Sequence, residues 1–215
     1  MTRVYYVVAV VLVAAALGAS MVFYPLMPET VPIHWDIHGQ IDGYGHKAEA
    51  LFLMPAIMVG MIGLFRILQW LSPRHFEVDS FRATYLYIMV LVTAFLAYVH
   101  GTIVWSARSD TADPARILFG GIFLFLAFLG NVLGRVRRNF WIGVRTPWTL
   151  ASERVWNDTH RFAARLFFAV GLLGAVAVFL GVPFVAAIVV FSMGILVPVV
   201  YSLVLYKRLA RRGEV

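Results

Sequence analysis

The chain contains no cysteine. That excludes a disulfide framework, a thiolate metal site and a thiol nucleophile. Charge is scarce as well: 13% of its 215 residues are Asp, Glu, Lys or Arg, against about 25% in ordinary soluble domains. Acidic groups are the rarer sign, 11 against 18 basic ones, and none lies deep in an apolar run, where an ion-coupled transporter would keep one. The second half does not visibly repeat the first, which also counts against a transporter built from inverted repeats. What remains is apolar. Hydrophobic residues make up 61% of the chain and its mean hydropathy is +0.83, values that define a membrane protein.

Six apolar stretches have a length suited to crossing a hydrocarbon core, roughly 17 to 25 helical residues. They run from Val4 to Phe23, Leu51 to Leu71, Ala83 to Trp105, Pro114 (capped by Asp113) to about Gly134, Ala163 to Leu180, and from the Gly181–Pro183 turn to near Tyr206. Small residues at Ala16, Gly18 and Ser20 would suit a cleavage site, but the first run is longer than a usual signal-peptide core and reads as an uncleaved anchor. The expected fold class is an all-α membrane protein, a six-transmembrane-helix bundle. An even number of spans puts both termini on one side. That side carries fifteen of the basic residues; the other has only Lys47, Arg108 and Arg116. The positive-inside rule therefore predicts an N-in/C-in topology with both termini cytoplasmic. Residues 1–75 form a two-span region with an outer loop, and residues 76–215 a four-span domain. Gly120, Gly121, Gly171, Gly174 and Ala175 are expected to let helices approach closely. Pro198 should kink the last span, and His100 reads as an interfacial histidine near an outer helix end.

Polar chemistry is confined to two stretches. The extracytoplasmic loop 24–49 holds Pro25, Pro28 and Pro32, which exclude a regular helix. Val31, Ile33, Trp35 and Ile37 alternate with Pro32, His34, Asp36 and His38, the period of an extended segment, and Gly39 and Asp42-Gly43 supply turns. If extended, the segment places His34, Asp36 and His38 on one face, with Asp42 and His46 able to fold back. Those groups suit zinc chemically, but no standard ligand spacing is present. The favoured expectation is a hydrogen-bonded, aromatic-anchored cap with no metal or other cofactor.

The second stretch, 130–165, holds seven arginines. Asn131, Arg135 and Arg138 fall at i, i+4 and i+7, which predicts one face of a helix continuing from the fourth span. Gly143 ends that run. Thr146-Pro147 reads as an N-cap and first helical position. On the helix that follows, Glu153, Trp156 or Asn157, and His160 share one stripe, while Arg154, Asp158, Arg161 and Arg165 share another with ion-pair spacings. Arg135, Arg137, Arg154 and Arg165 suit anionic lipid headgroups; basic residues at helix ends, despite a pI near 10.1, fit lipid better than nucleic acid. Asn131, Asn139, Arg145, Glu153 and His160 are complementary polar groups that form either a functional cluster or a staple between spans. A membrane hydrolase using Glu153 and His160 is a minor alternative, because no nucleophile is paired with them and Ser152 points about 100° away from its neighbour on a helix. A transporter with helices broken at Pro55, Gly60, Gly63 and Pro198 is another.

Both stretches carry a resemblance. The loop, in Tyr24-Pro25, Leu26, Pro28, Ile33-His34-Trp35, Gly39, Ile41-Asp42-Gly43 and Lys47, resembles the domain of unknown function that often precedes bacterial immunity proteins for the sporulation-delaying peptide toxin. The second stretch resembles the hallmark of that SdpI-like immunity family itself, in Gly130-Asn131, Arg138-Asn139, Gly143 to Leu150, Glu153, Val155-Trp156 and Thr159-His160. Ala163-Ala164 stands where the family pattern has glycine, a change that keeps the site small. The resemblance implies a non-enzymatic, multi-pass protein of the bacterial plasma membrane that gives resistance to a secreted, membrane-active peptide toxin and signals to a cytoplasmic repressor. It implies an outer binding surface around His34, Trp35, Asp42 and Lys47. It also implies a functional cytoplasmic cluster of Asn131, Arg138, Asn139, Arg145, Glu153, Trp156 and His160.

Overall fold

The computed structural model describes residues 2–36, 38–74, 76–108 and 113–215. Its helices are α1 (Thr2–Phe23), α2 (Lys47–Trp70), α3 (Arg82–Ser106), α4 (Pro114–Leu133), the short α5 (Pro147–Ala151), α6 (Glu153–Phe179) and α7 (Phe184–Ala210). All but α5 are long and apolar enough to cross a bilayer. A small antiparallel hairpin, β1 (Thr30–Trp35) with β2 (Ile41–His46), is added to this otherwise helical bundle between α1 and α2. Ile37, the last apolar member of the expected alternation, lies outside the described residues.

Local chemistry starts the helices where the chain leaves the bilayer. The His46 ring accepts the Ala48 N–H at 3.2 Å to cap α2, Asp113 accepts the Arg116 N–H at 3.0 Å to cap α4, and Ser152 caps α6. Each cap satisfies a first-turn N–H that has no partner within its own helix. Pro55 and Pro198 both sit inside helices, in α2 and α7.

α1, α2 and α3 pack together at one side of the bundle, α3 leads to α4, and α4 and α6 form the most extensive helix pair, with α7 against α6. Glycine is required at the α4–α6 seam. A Cβ added at Gly171 would lie 2.5 Å from the Phe123 carbonyl oxygen, and one at Gly130 would lie 2.8 Å from that of Ala164. Backbones this close gain van der Waals contact, the main attraction between helices when lipid is as apolar as leucine.

His100 differs from expectation. It is 2% exposed, and its Nε2 lies 3.1 Å from Ser20 Oγ, which also reaches the Leu51 carbonyl at 2.6 Å. A polar side chain with an internal partner can be taken out of the interface, and this one joins α1, α2 and α3.

Candidate functional site

Polar structure gathers at the two ends of the bundle. At one end the hairpin pairs Thr30 with His46 and Val31 with Gly45, and the register shifts around His34. Its turn is built by Asp36, whose N–H donates to the Gln40 carbonyl and whose carboxylate accepts the N–H groups of His38 and Gln40, all at 2.8 Å. The Gln40 N–H, foremost among these donors, holds the Asp36 carboxyl below its usual range. Gly39 adopts φ 80°, and a side chain there would collide with Phe184 and Ala115, so the tip of the hairpin rests on the starts of α7 and α4. Val31 and Trp35 pack inward against Met27, Leu51 and Ile103. Lys47 donates to Glu29 at 2.8 Å and lies 4.9 Å from the centre of the Tyr24 ring, which lowers the Glu29 pKa and ties the base of the hairpin down.

The four outer-loop candidates therefore divide. Trp35 and Lys47 hold the hairpin to the bundle, while His34 and Asp42 form an exposed pair at 2.5 Å, Nδ1 to Oδ1. Ile33, Ile41 and Tyr44 of the hairpin are exposed as well. The trio His34, Asp36 and His38 does not assemble, because Asp36 is consumed by the turn and His34 by Asp42. Among the described residues no three metal-ligating groups converge.

At the opposite end the motif is a stapled loop. α4 stops at Leu133 with Gly134 as its C-cap, so Arg135 and Arg138 leave the helix and do not share a face with Asn131. The chain turns inward there because Val136 is buried and its carbonyl accepts the Trp156 indole N–H at 2.8 Å. Asn139, fully buried, then satisfies four backbone groups. Its amide donates to the carbonyls of Arg137 and Ile142, and its oxygen accepts the N–H groups of Trp141 and Ile142. The Trp141 indole reaches Ser72 at 2.9 Å.

Gly143, at φ 117°, brings the next residue under His160. The Val144 N–H donates to His160 Nε2 at 3.0 Å, and His160 Nδ1 donates to the Trp156 carbonyl at 2.8 Å. An N–H can only donate, so Nε2 is the acceptor and the ring is the neutral Nδ1–H tautomer. The ring stacks on Trp156 with centroids 4.0 Å apart. A side chain at Gly143 would strike it. Thr146 and Thr149 then form a reciprocal capping box for α5, with Thr149 Oγ1 also donating to the Val144 carbonyl and Thr146 Oγ1 lying 3.1 Å from Ser202 Oγ on α7.

Five of the seven motif candidates build this staple: Asn139, Trp156 and His160 at its centre, Arg138 donating to the Leu150 carbonyl at 3.2 Å, and Arg145 donating to that of Phe140. Asn131 and Glu153 are exposed and make no side-chain hydrogen bond among the described residues. The predicted single helix after Pro147 is broken at Ser152, whose extended backbone ends α5 and whose hydroxyl starts α6. Glu153 and His160 are thus not joined as an acid–base pair: one faces out, and both nitrogens of the other are occupied by backbone. Of the predicted ion pairs, Asp158–Arg161 forms within α6, whereas Arg154 reaches Glu214 at 2.5 Å.

The Ser20–His100 contact escaped sequence reading. Ser20 is visible there only as a small residue, and the two lie far apart in the chain.

Six apolar helices with polar structure confined to a hairpin at one end and a stapled basic loop at the other define a small multi-pass membrane protein. Residues 135–202 match the SdpI/YfhL protein family, and residues 11–59 match the domain of unknown function DUF1648. The second half of the chain is thus similar to the SdpI/YfhL family, and a DUF1648-like segment stands in front of it. It is similar to "Immunity protein SdpI" of Bacillus subtilis (strain 168), with 26% identity over 173 residues that cover 80% of this chain and 81% of that protein. No solved structure matches.

Proposed function

We propose that this protein gives a bacterial plasma membrane immunity to a secreted, membrane-active peptide, with the hairpin as the surface that meets the peptide. The observation that carries this reading is the similarity to an immunity protein along four-fifths of both chains. The hairpin supports the choice of surface. It exposes apolar Ile33, Ile41 and Tyr44 as well as the His34–Asp42 pair, side chains of the kinds that suit an amphipathic peptide at the membrane interface.

The fifteen-to-three division of Lys and Arg supports a cytoplasmic placement of both termini and hence an external hairpin. Signalling to a cytoplasmic repressor belongs to the same reading, with exposed Arg137, Arg145 and Glu153 as the surface offered.

Survival of a sensitive bacterium under a sporulation-delaying-type peptide tests the proposal, comparing empty vector, the intact chain and its Asp42→Ala and Tyr44→Ala variants at matched membrane levels. The intact chain should protect, and loss of the Tyr44 ring should lower the tolerated peptide concentration by about tenfold, as for one aromatic anchor in a binding surface. Equal killing of intact-chain and vector cells would reject it.

A further inference from the structure

The end of the bundle that carries the termini contains a hollow of about 710 Å³ where three spans stop together. Its walls are the start of α3 with the short turn before it (Asp79 to Thr84), the end of α4 and the loop after it (Gly134, Arg135, Arg137) and the second and third turns of α6 (Asn157, Arg161). α3, α4 and α6 are each long and apolar enough to cross a bilayer, and a helix that does so ends at the depth of lipid headgroups.

Charge there is one-sided. Arg82, Arg135, Arg137 and Arg161 line the hollow, and Asp79 is its one carboxylate. Asp79 is spent weakly on Arg82 at 3.7 Å, and Asp158, outside the lining, pairs with Arg161. Arg135 and Arg137 have no ion-pair partner among the described residues. Thr84 and Asn157, both half-buried, add a hydroxyl and an amide with no side-chain hydrogen bond among those residues. No side chain caps the first turn of α3, and the buried Phe81 gives the hollow an apolar side. The neighbouring groove of about 680 Å³ differs, since Glu77, Asp79 and Glu153 there balance Arg137 and Arg138.

Guanidinium forks match phosphate oxygens in pairs, and polar donors beside an apolar wall suit an amphiphile. We propose that this hollow binds the phosphodiester headgroup of one anionic phospholipid. It is a saturable site, distinct from the diffuse attraction of basic residues to a charged surface, and it stands independently of the immunity reading.

The test uses the full chain in neutral detergent, titrated with phosphatidylglycerol or phosphatidylcholine and read by native mass spectrometry, with inorganic phosphate as a competing ligand. One phosphatidylglycerol should bind in preference to phosphatidylcholine. Arg135→Gln combined with Arg137→Gln should weaken it about thirtyfold, with lipid-free melting unchanged. Arg208→Gln with Arg211→Gln, which removes the same charge from residues that do not line the hollow, should leave binding intact. Equal weakening by the two double variants, or equal binding of the two lipids, would overturn the site. Inorganic phosphate binding as tightly as phosphatidylglycerol would overturn the assignment to lipid.

Discussion

His160 shows how a polar residue in a membrane protein can be central without being reactive. Both ring nitrogens are committed to backbone, to the Val144 N–H and the Trp156 carbonyl, and its face is committed to the Trp156 ring. His160→Phe would keep the stacking and lose both side-chain hydrogen bonds; the Trp156 carbonyl retains its helical bond to the residue-160 N–H, but the part-buried Val144 N–H is stranded, at a cost of about 1–3 kcal/mol. Melting in detergent should fall by several degrees; an unchanged midpoint would remove the staple account. The sequence made His160 visible as a member of a polar cluster. It could not show its partners, because both are main-chain atoms: an N–H placed by the positive φ of Gly143 and a carbonyl one turn back in its own helix. His34 and Asp42 are more legible, since an extended segment followed by turn residues already allows Asp42 to fold back toward it.

Among the elements, α4 and α6 are joined by backbone contact rather than by large side chains. Gly171→Ala places a methyl group against the Phe123 carbonyl and Ala127 backbone, atoms that cannot move aside cheaply, and should destabilise by about 1–3 kcal/mol as overpacking. Gly60→Ala, where no atom beyond its chain neighbours and its own helix backbone lies within 4 Å, should be neutral or slightly stabilising. Thermal unfolding of the two variants side by side checks this, and equal midpoints would contradict the close-packed seam. The six spans could be read from hydropathy because lipid demands long uninterrupted apolar runs. The helices within the 130–165 stretch could not. The expected helical continuation from Asn131 to Arg138 is cut off at Leu133, where Val136 is drawn inward by Trp156, and the expected single helix after Pro147 is split because Ser152 supplies a second cap directly after the one at Thr146. Helical spacing alone does not register either event. The hairpin was expected only as an extended segment, because strand pairing depends on a turn that Asp36 closes through backbone N–H groups.

For the whole molecule, immunity requires the two polar ends to face different compartments, with the hairpin outward and within reach of the peptide. Basic residues crowd the end opposite the hairpin, and the same end offers the headgroup hollow, so one orientation serves both proposals. The absence of cysteine makes that orientation directly measurable, since a single introduced thiol is the sole labelling site. Tyr44→Cys and Arg137→Cys, each expressed in intact cells and exposed to a membrane-impermeant maleimide with and without the peptide, probe the two ends. The account predicts that Cys at position 44 labels, that peptide slows this labelling, and that Cys at position 137 labels only after the cells are opened. Labelling at 137 but not at 44 in intact cells, or labelling at 44 that the peptide does not slow, would contradict it.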